Sequence, residues 1–135
     1  MRPVTPMDIV ELAKLEQELF EEHLNEQTLL EEIQVGFGWL IEDEAGLKSY
    51  ILVRDDSYII DITRFGTRTP YQGEGHGSRL LAQVLSYTSR AIMLTADSDN
   101  LVAMRLYLKN GFKIVGRLPH DLSWVLRKDA KTCVR

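Results

Sequence analysis

The chain holds a single cysteine, Cys133, among its 135 residues. One thiol excludes an internal disulfide, and Cys133 is expected to be a free thiol near the C-terminus, in a reducing compartment. No apolar run approaches the ~18 residues of a membrane span. The opening segment, Met1-Arg2-Pro3-Val4-Thr5, lacks the apolar core of a signal peptide. A cytoplasmic protein without membrane partners is expected. No Lys/Arg cluster interleaves with aromatics, and the net charge of −4 argues against a nucleic-acid binder. No set of His, Cys and carboxylates has metal-ligand spacing, so no metal is expected. Internal repeats, low-complexity tracts and long linkers are also missing. One domain spanning 1–135 is expected, long enough to bury a real core.

Apolar residues make up 44% of the chain and charged ones 27%. The charge is unevenly spread. Residues 1–32 carry nine acids against Arg2 and Lys14, a net of −7, while the remaining 103 residues net +3. Such a flank steers a cationic substrate or is simply a solvated helix face.

Hydrophobic spacing places the elements. Residues 2–5 read as a short strand that Thr5-Pro6 breaks. Ile9, Leu12, Leu15, Leu19 and Phe20 recur at helical spacing within Met7–Phe20, and Thr28–Val35 suggests a second helix. Trp39–Ile41 and Leu47–Val53 read as strands joined by a turn over residues 42–46. A tight turn at Asp55-Asp56 leads into a strand over Tyr58–Thr67, where Gly66 marks a bulge or a close backbone approach. A helix over Ser78–Arg90 presents Leu80, Leu81, Val84 and Leu85 on one side. Ala91–Thr95 reads as a buried strand. Asn100 sits at an N-cap, and Leu101–Lys109 is helical. Asn110-Gly111-Phe112 is a helix stop, with glycine left-handed and the following Phe packing back on the last turn. Phe112–Leu118 and Ser123–Arg127 form a hairpin over Pro119-His120-Asp121. The order is βααβββαβαββ, an α/β domain with a mixed sheet.

The stretch Gln72-Gly73-Glu74-Gly75-His76-Gly77-Ser78 follows a strand and opens a helix. Such a junction aims bare N–H groups and the positive end of a helix dipole at one spot, where a phosphate binds. The alternative is a plain connecting loop. A Walker A loop is excluded, because no Gly-Lys-Ser/Thr follows. A dinucleotide site of the Rossmann kind would use Asp97, about twenty residues on, to hold a ribose. Against it, the spacing is G-x-G-x-G, and too little chain follows for the remaining βα units.

From about Ile59 to Phe112 the sequence resembles the GNAT family of acetyl-CoA-dependent N-acetyltransferases. Two motifs carry the likeness. The first is Gln72-Gly73-Glu74-Gly75-His76-Gly77, preceded by Pro70-Tyr71, matching Gln/Arg-x-x-Gly-x-Gly/Ala. The second is Asn100 followed by Leu106-Tyr107-Leu108-Lys109-Asn110-Gly111-Phe112. The resemblance implies the GNAT fold, a mixed, mostly antiparallel sheet of six to seven strands flanked by four helices. It implies acetyl-CoA in a V-shaped gap between the fourth and fifth strands. Main-chain amides over Gln72–Ser78 would hold the diphosphate, and Phe65, Gly66 and Thr67 would pair with pantetheine. Asn100 matches an asparagine that contacts the pantetheine arm, a role compatible with a helix cap. Glu74 departs from the pattern: many members carry Lys or Arg there. An acid should weaken phosphate binding unless it turns outward, and Arg68, Arg79, Lys109 or Lys113 could offset it.

The implied chemistry removes a proton from an amine, polarises the acetyl carbonyl and protonates the leaving thiolate. Tyr107 matches the family's frequent general acid; its plain alternative is a tyrosine half-buried on an amphipathic helix. The base is either Asp61, working through a water, or a water chain. Asp61 matches a fourth-strand Glu of histone-type members, and a purely structural role is its alternative. Thr95 stands where ribosomal-protein acetyltransferases keep a Glu and cannot act as base. His76 matches a position usually apolar, which implies packing. His120-Asp121 reads as ordinary turn chemistry; in the family that hairpin often borders the substrate channel, which makes a substrate contact the alternative, and His23 is expected at the surface. The implied acceptor is a primary amine: a protein lysine, an N-terminus or a small cationic amine. A homodimer is an allowed assembly. The competing expectation is a non-catalytic coenzyme A-binding or protein-interaction module on the same fold.

Overall fold

The computed structural model describes residues 1–120 and 123–131. Cys133 and Asp121, singled out in the sequence, lie outside the described residues. The elements run β1 (Arg2–Pro3), α1 (Ile9–Leu19), α2 (Glu26–Val35), β2 (Gly36–Asp43), β3 (Gly46–Asp55), β4 (Ile59–Thr67), α3 (His76–Tyr87), β5 (Ala91–Asp97), α4 (Leu101–Lys109), β6 (Lys113–Arg117) and β7 (Ser123–Lys128). The expected order βααβββαβαββ is met in full. Short 3-10 turns occupy Pro6–Asp8 and Thr69–Tyr71. The sheet order is β1-β2-β3-β4-β5-β7-β6. Its neighbours are antiparallel in the registers of β1 with β2, β2 with β3, β5 with β7 and β6 with β7, and parallel in that of β4 with β5. The chain forms two compact units, Met1–Arg54 with Thr63–Tyr87, and Asp55–Ile62 with Thr88–Arg135.

In the first unit, Leu12, Leu15, Leu29, Leu40, Leu47, Tyr50 and Leu52 form one buried cluster, with Leu19, Phe20, Leu24 and Ile33 packed against it. Ser49 through Val53 of β3 is buried without interruption, the pattern of a strand covered on both faces. α2 begins two residues before the expected Thr28. The cause is Asn25, whose Oδ1 accepts the Thr28 amide at 2.9 Å and closes the first turn. Inside this unit lies a carboxylate with no exposure at all, Glu16 of α1. It accepts from Arg64 Nη2 at 2.5 Å and Nε at 3.1 Å, from the Leu24 amide at 3.0 Å, and from the Tyr50 hydroxyl. Four donors offset the desolvation of that charge. Burial, and then the Glu16 charge, raise the Tyr50 pKa well above the ordinary phenol value, so the hydroxyl stays a donor.

In the second unit, β5 pairs with β7 over six residues, from Ile92↔Lys128 to Asp97↔Ser123. Ile60, Ala91, Ile92, Leu94, Met104, Tyr107, Phe112 and Leu126 are buried. Arg90 forks onto Asp55 at 2.7 and 2.8 Å. That bidentate pair holds the Asp55 carboxyl down at about 2. The helix expected over Ser78–Arg90 runs instead over His76–Tyr87. It stops early because the Thr88 hydroxyl takes the Arg90 amide at 3.0 Å, an alternative partner to the helical ladder.

Replacing Glu16 with Ala would strand Arg64 and the Tyr50 hydroxyl beside a void. Urea unfolding should show a loss of about 3–5 kcal/mol, the range for breaking a buried ion pair by removing one partner.

Candidate functional site

The site begins on β4, whose last residues are held by side chains from within the first unit. Ser49 Oγ donates to Gly66 O at 2.9 Å and lies 2.8 Å from Thr67 Oγ1. Gly66 is a close approach, as expected: a Cβ there would come within 2.7 Å of Leu19 Cδ1. Phe65, Gly66 and Thr67 are half-buried. The parallel register joins Ile59, Ile60 and Asp61 of β4 to Ala91, Ile92 and Met93 of β5, and β4 then continues to Thr67.

After β4 the chain turns through Thr69–Tyr71 into the glycine loop. Gln72 is a brace here. Its amide donates to Thr69 O at 3.2 Å, and its Nε2 donates to Thr67 O at 3.0 Å. The expectation that main-chain donors begin at Gln72 is thereby corrected: this amide is already spent inside the turn. Gly73 and Gly75 adopt φ of +83° and +89°, where a side chain would be strained, and open space surrounds both. The first helical bond of α3 runs from the Arg79 amide to Gly75 O at 3.1 Å. Gly75 is therefore the cap residue, and the amides of His76, Gly77 and Ser78 are first-turn donors without a helical acceptor. Among the described residues the amides of Gly73, Glu74 and Gly75 also lack a hydrogen-bond partner. Six consecutive N–H groups at a helix N-terminus are a donor array suited to a diphosphate.

Charged side chains surround this loop. Lys48 of β3 pairs with Asp43 at 2.6 Å and stands 4.5 Å above the Tyr71 ring. The pairing lowers the Asp43 carboxyl and raises the Lys48 ammonium. Arg68 Nε lies 3.3 Å from Glu18 of α1. His76 Nε2 lies 3.0 Å from Glu74 Oε1. The expected packing role of His76 is thus only part of its environment, since it also carries a polar contact.

The second motif lies in the second unit. Asn100 caps α4, its Oδ1 accepting the Ala103 amide at 3.2 Å. At the other end, the Phe112 amide donates to Tyr107 O at 3.1 Å and the Gly111 amide to Leu108 O at 3.2 Å, with Gly111 at φ +90°. This is a Schellman stop, and its hydrophobic contact is the Tyr107–Phe112 edge contact at 5.8 Å between ring centres. The motif Tyr-x-x-x-Gly-Phe therefore fixes the Tyr107 ring. Tyr107 is 6% exposed, and burial pushes its phenol up to about 12. Asp61 is half-buried on β4, Thr95 is exposed on β5, and His23 and His120 are exposed. Among the described residues no group of His, Cys and carboxylates could hold a metal ion, and no helix is long and apolar enough to cross a membrane.

A parallel β4–β5 pair within a seven-stranded mixed sheet, and a donor array at the strand-to-helix junction, define an α/β fold with an anion-facing loop. The acetyltransferase (GNAT) family model matches residues 8–112, more than half of the chain. The chain belongs to that family. Its fold is similar to Ard1 from Thermoplasma volcanium, with a TM-score of 0.84, 20% identity and 97% of each chain covered. It is similar to the ribosomal-protein-S18-alanine N-acetyltransferase from Escherichia coli, with a TM-score of 0.84, 12% identity, and 98% of this chain and 94% of that one covered. It is also similar to Arabidopsis thaliana NAA60 in complex with acetyl-CoA, with a TM-score of 0.82, 18% identity, and 95% and 97% covered. At these identities the likeness is one of fold. No curated protein sequence matches the chain.

The Tyr107 phenol makes a testable contribution to alkaline stability. An unfolded tyrosine ionises near pH 10, whereas folded Tyr107 holds its proton to about 12. The neutral phenol's contribution is therefore whole below pH 10 and is lost as the pH climbs toward 12. Between about pH 9 and about pH 11, wild type should lose about 1 kcal/mol more stability than Tyr107→Phe.

Proposed function

We propose that this protein transfers the acetyl group of acetyl-CoA to a primary amine by direct attack in a ternary complex. The observation that carries the reading is the run of unpartnered amides from Gly73 to Ser78 at the start of α3. When bound, acetyl-CoA supplies the activated acetyl thioester. The Gly73–Ser78 amides hold its diphosphate, and Gln72 keeps the loop in register with the end of β4. The backbone of Phe65, Gly66 and Thr67 receives the pantetheine arm. Asn100 contributes its Nδ2, since its Oδ1 is taken by the cap.

Tyr107 is the general acid. A phenol is protonated throughout the neutral range, so Tyr107 has a proton to give the leaving thiolate. Asp61 is the base, working through a water because its side chain is short. The acceptor is a protein N-terminus or lysine, or a small cationic amine. The solved relatives support the first, because one is named as an S18-alanine N-acetyltransferase. The acids of α1 and α2 support a cationic acceptor.

Coenzyme A should raise the thermal midpoint of the wild-type protein. Gly75→Val, which forces a β-branched side chain to φ +89°, should abolish that shift while the protein still folds. Tyr107→Phe should keep the shift and lower kcat by about a hundredfold, read as thiol release with a peptide panel and mass spectrometry of the products. A coenzyme shift without turnover on any amine would mark a coenzyme-holding module instead. No shift at all would end the acyl-transfer reading.

A further inference from the structure

Glu74 places a carboxylate in the middle of the donor array, between two left-handed glycines. A carboxylate is itself a good partner for helix N-terminal amides. Glu74 is thus the nearest competitor for any diphosphate that comes to the loop. In the structure it does not take those amides. Its side chain is 52% exposed and its Oε1 lies 3.0 Å from His76 Nε2. The His76 side chain is only 12% exposed, and its Nδ1 is buried without a partner among the described residues. A carboxylate only accepts, so Nε2 is the nitrogen that carries a hydrogen toward Glu74 and donates to it. Two further charges bear on the pair. His76 helps to lower the Asp43 carboxyl of β2, and Glu74 helps to raise the Lys48 ammonium of β3, while Asp43 and Lys48 are bonded to each other. Lys48 is therefore largely engaged by Asp43, and His76 makes the only hydrogen bond to the Glu74 carboxylate among the described residues.

We propose that His76 is a positioning residue for coenzyme binding: it clasps Glu74 away from the Gly73–Ser78 amides and keeps them open to a diphosphate. The inference rests on the acyl-transfer reading and adds to it a role for one imidazole that contacts neither the thioester nor the amine.

Isothermal titration of the whole protein with coenzyme A tests it, with no turnover required. His76→Ala releases Glu74 onto its own loop, so Kd should rise about tenfold. In the Glu74→Gln background the same His76→Ala change should move Kd by less than about twofold, because the competing charge is gone. Glu74→Gln alone should change Kd by less than about twofold, since the clasp already holds the acid aside. His76→Gln, which keeps an N–H donor, should stay near wild type. An equal loss from His76→Ala in both backgrounds would mean that His76 merely packs, and the proposal would fall. A tenfold gain from Glu74→Gln alone would also overturn it, because the acid would then be competing despite the clasp; that arm needs no change at the half-buried histidine. If wild type itself fails to bind coenzyme A, the underlying reading fails before the clasp is tested.

Discussion

The charge buried on α1 is the constraint around which the first unit is organised. Glu16 has no exposure, so its carboxylate survives ionised only where fixed donors replace water. Those donors come from β3 through Tyr50, from β4 through Arg64, and from the main chain at Leu24. Arg64 gains further from the Phe20 ring, 4.6 Å from its guanidinium carbon, and from Glu22 O at 3.3 Å. The geometry is demanding, because a slip of one residue in β4 would turn Arg64 to the other face of the strand. The network therefore sets the register of β4 against α1. Everything downstream on β4 inherits that register: Gly66 against Leu19, Ser49 on Gly66 O and Thr67, and Gln72 on Thr67 O.

From that fixed strand end the glycine loop needs little energy of its own. Gly73 and Gly75 take left-handed turns with nothing pressing on them, so the loop's shape comes from backbone freedom rather than packing. Its rigidity comes from its two ends, the braced β4 terminus and α3, with Leu80, Leu81 and Val84 buried. Such a loop can leave its amides unsatisfied only because it is exposed and water serves as a substitute partner.

The sequence made the element order legible, and it made both family motifs legible, because each is a local pattern. The helix stop at Gly111 and the cap at Asn100 follow from neighbours within a few positions. What stayed hidden was mostly long-range. The Glu16 network joins residues 34 and 48 positions apart, and nothing in the helical spacing separates Glu16 from the eight other acids of the same region, most of which are solvated. Two misses were local and readable. Asn25-x-x-Thr28 is an ordinary N-cap pattern, although the apolar spacing of that helix starts later. Glu74 and His76 stand two positions apart, a spacing that already allows the bond between them.

That last pair bears on how a phosphate loop can carry an acid. A carboxylate fixed among anion-seeking amides opposes its own ligand by charge, and in water-exposed surroundings such repulsion is worth only a few tenths of a kcal/mol. Direct capture of the amides is the graver threat, since it removes the donors altogether. Bonding the acid to an imidazole addresses capture and leaves the weaker repulsion in place. Lys48 fits the same logic. It is close enough to act on Glu74 electrostatically, yet it is bonded to Asp43. Lys48 and Asp43 thus largely neutralise each other beside the loop.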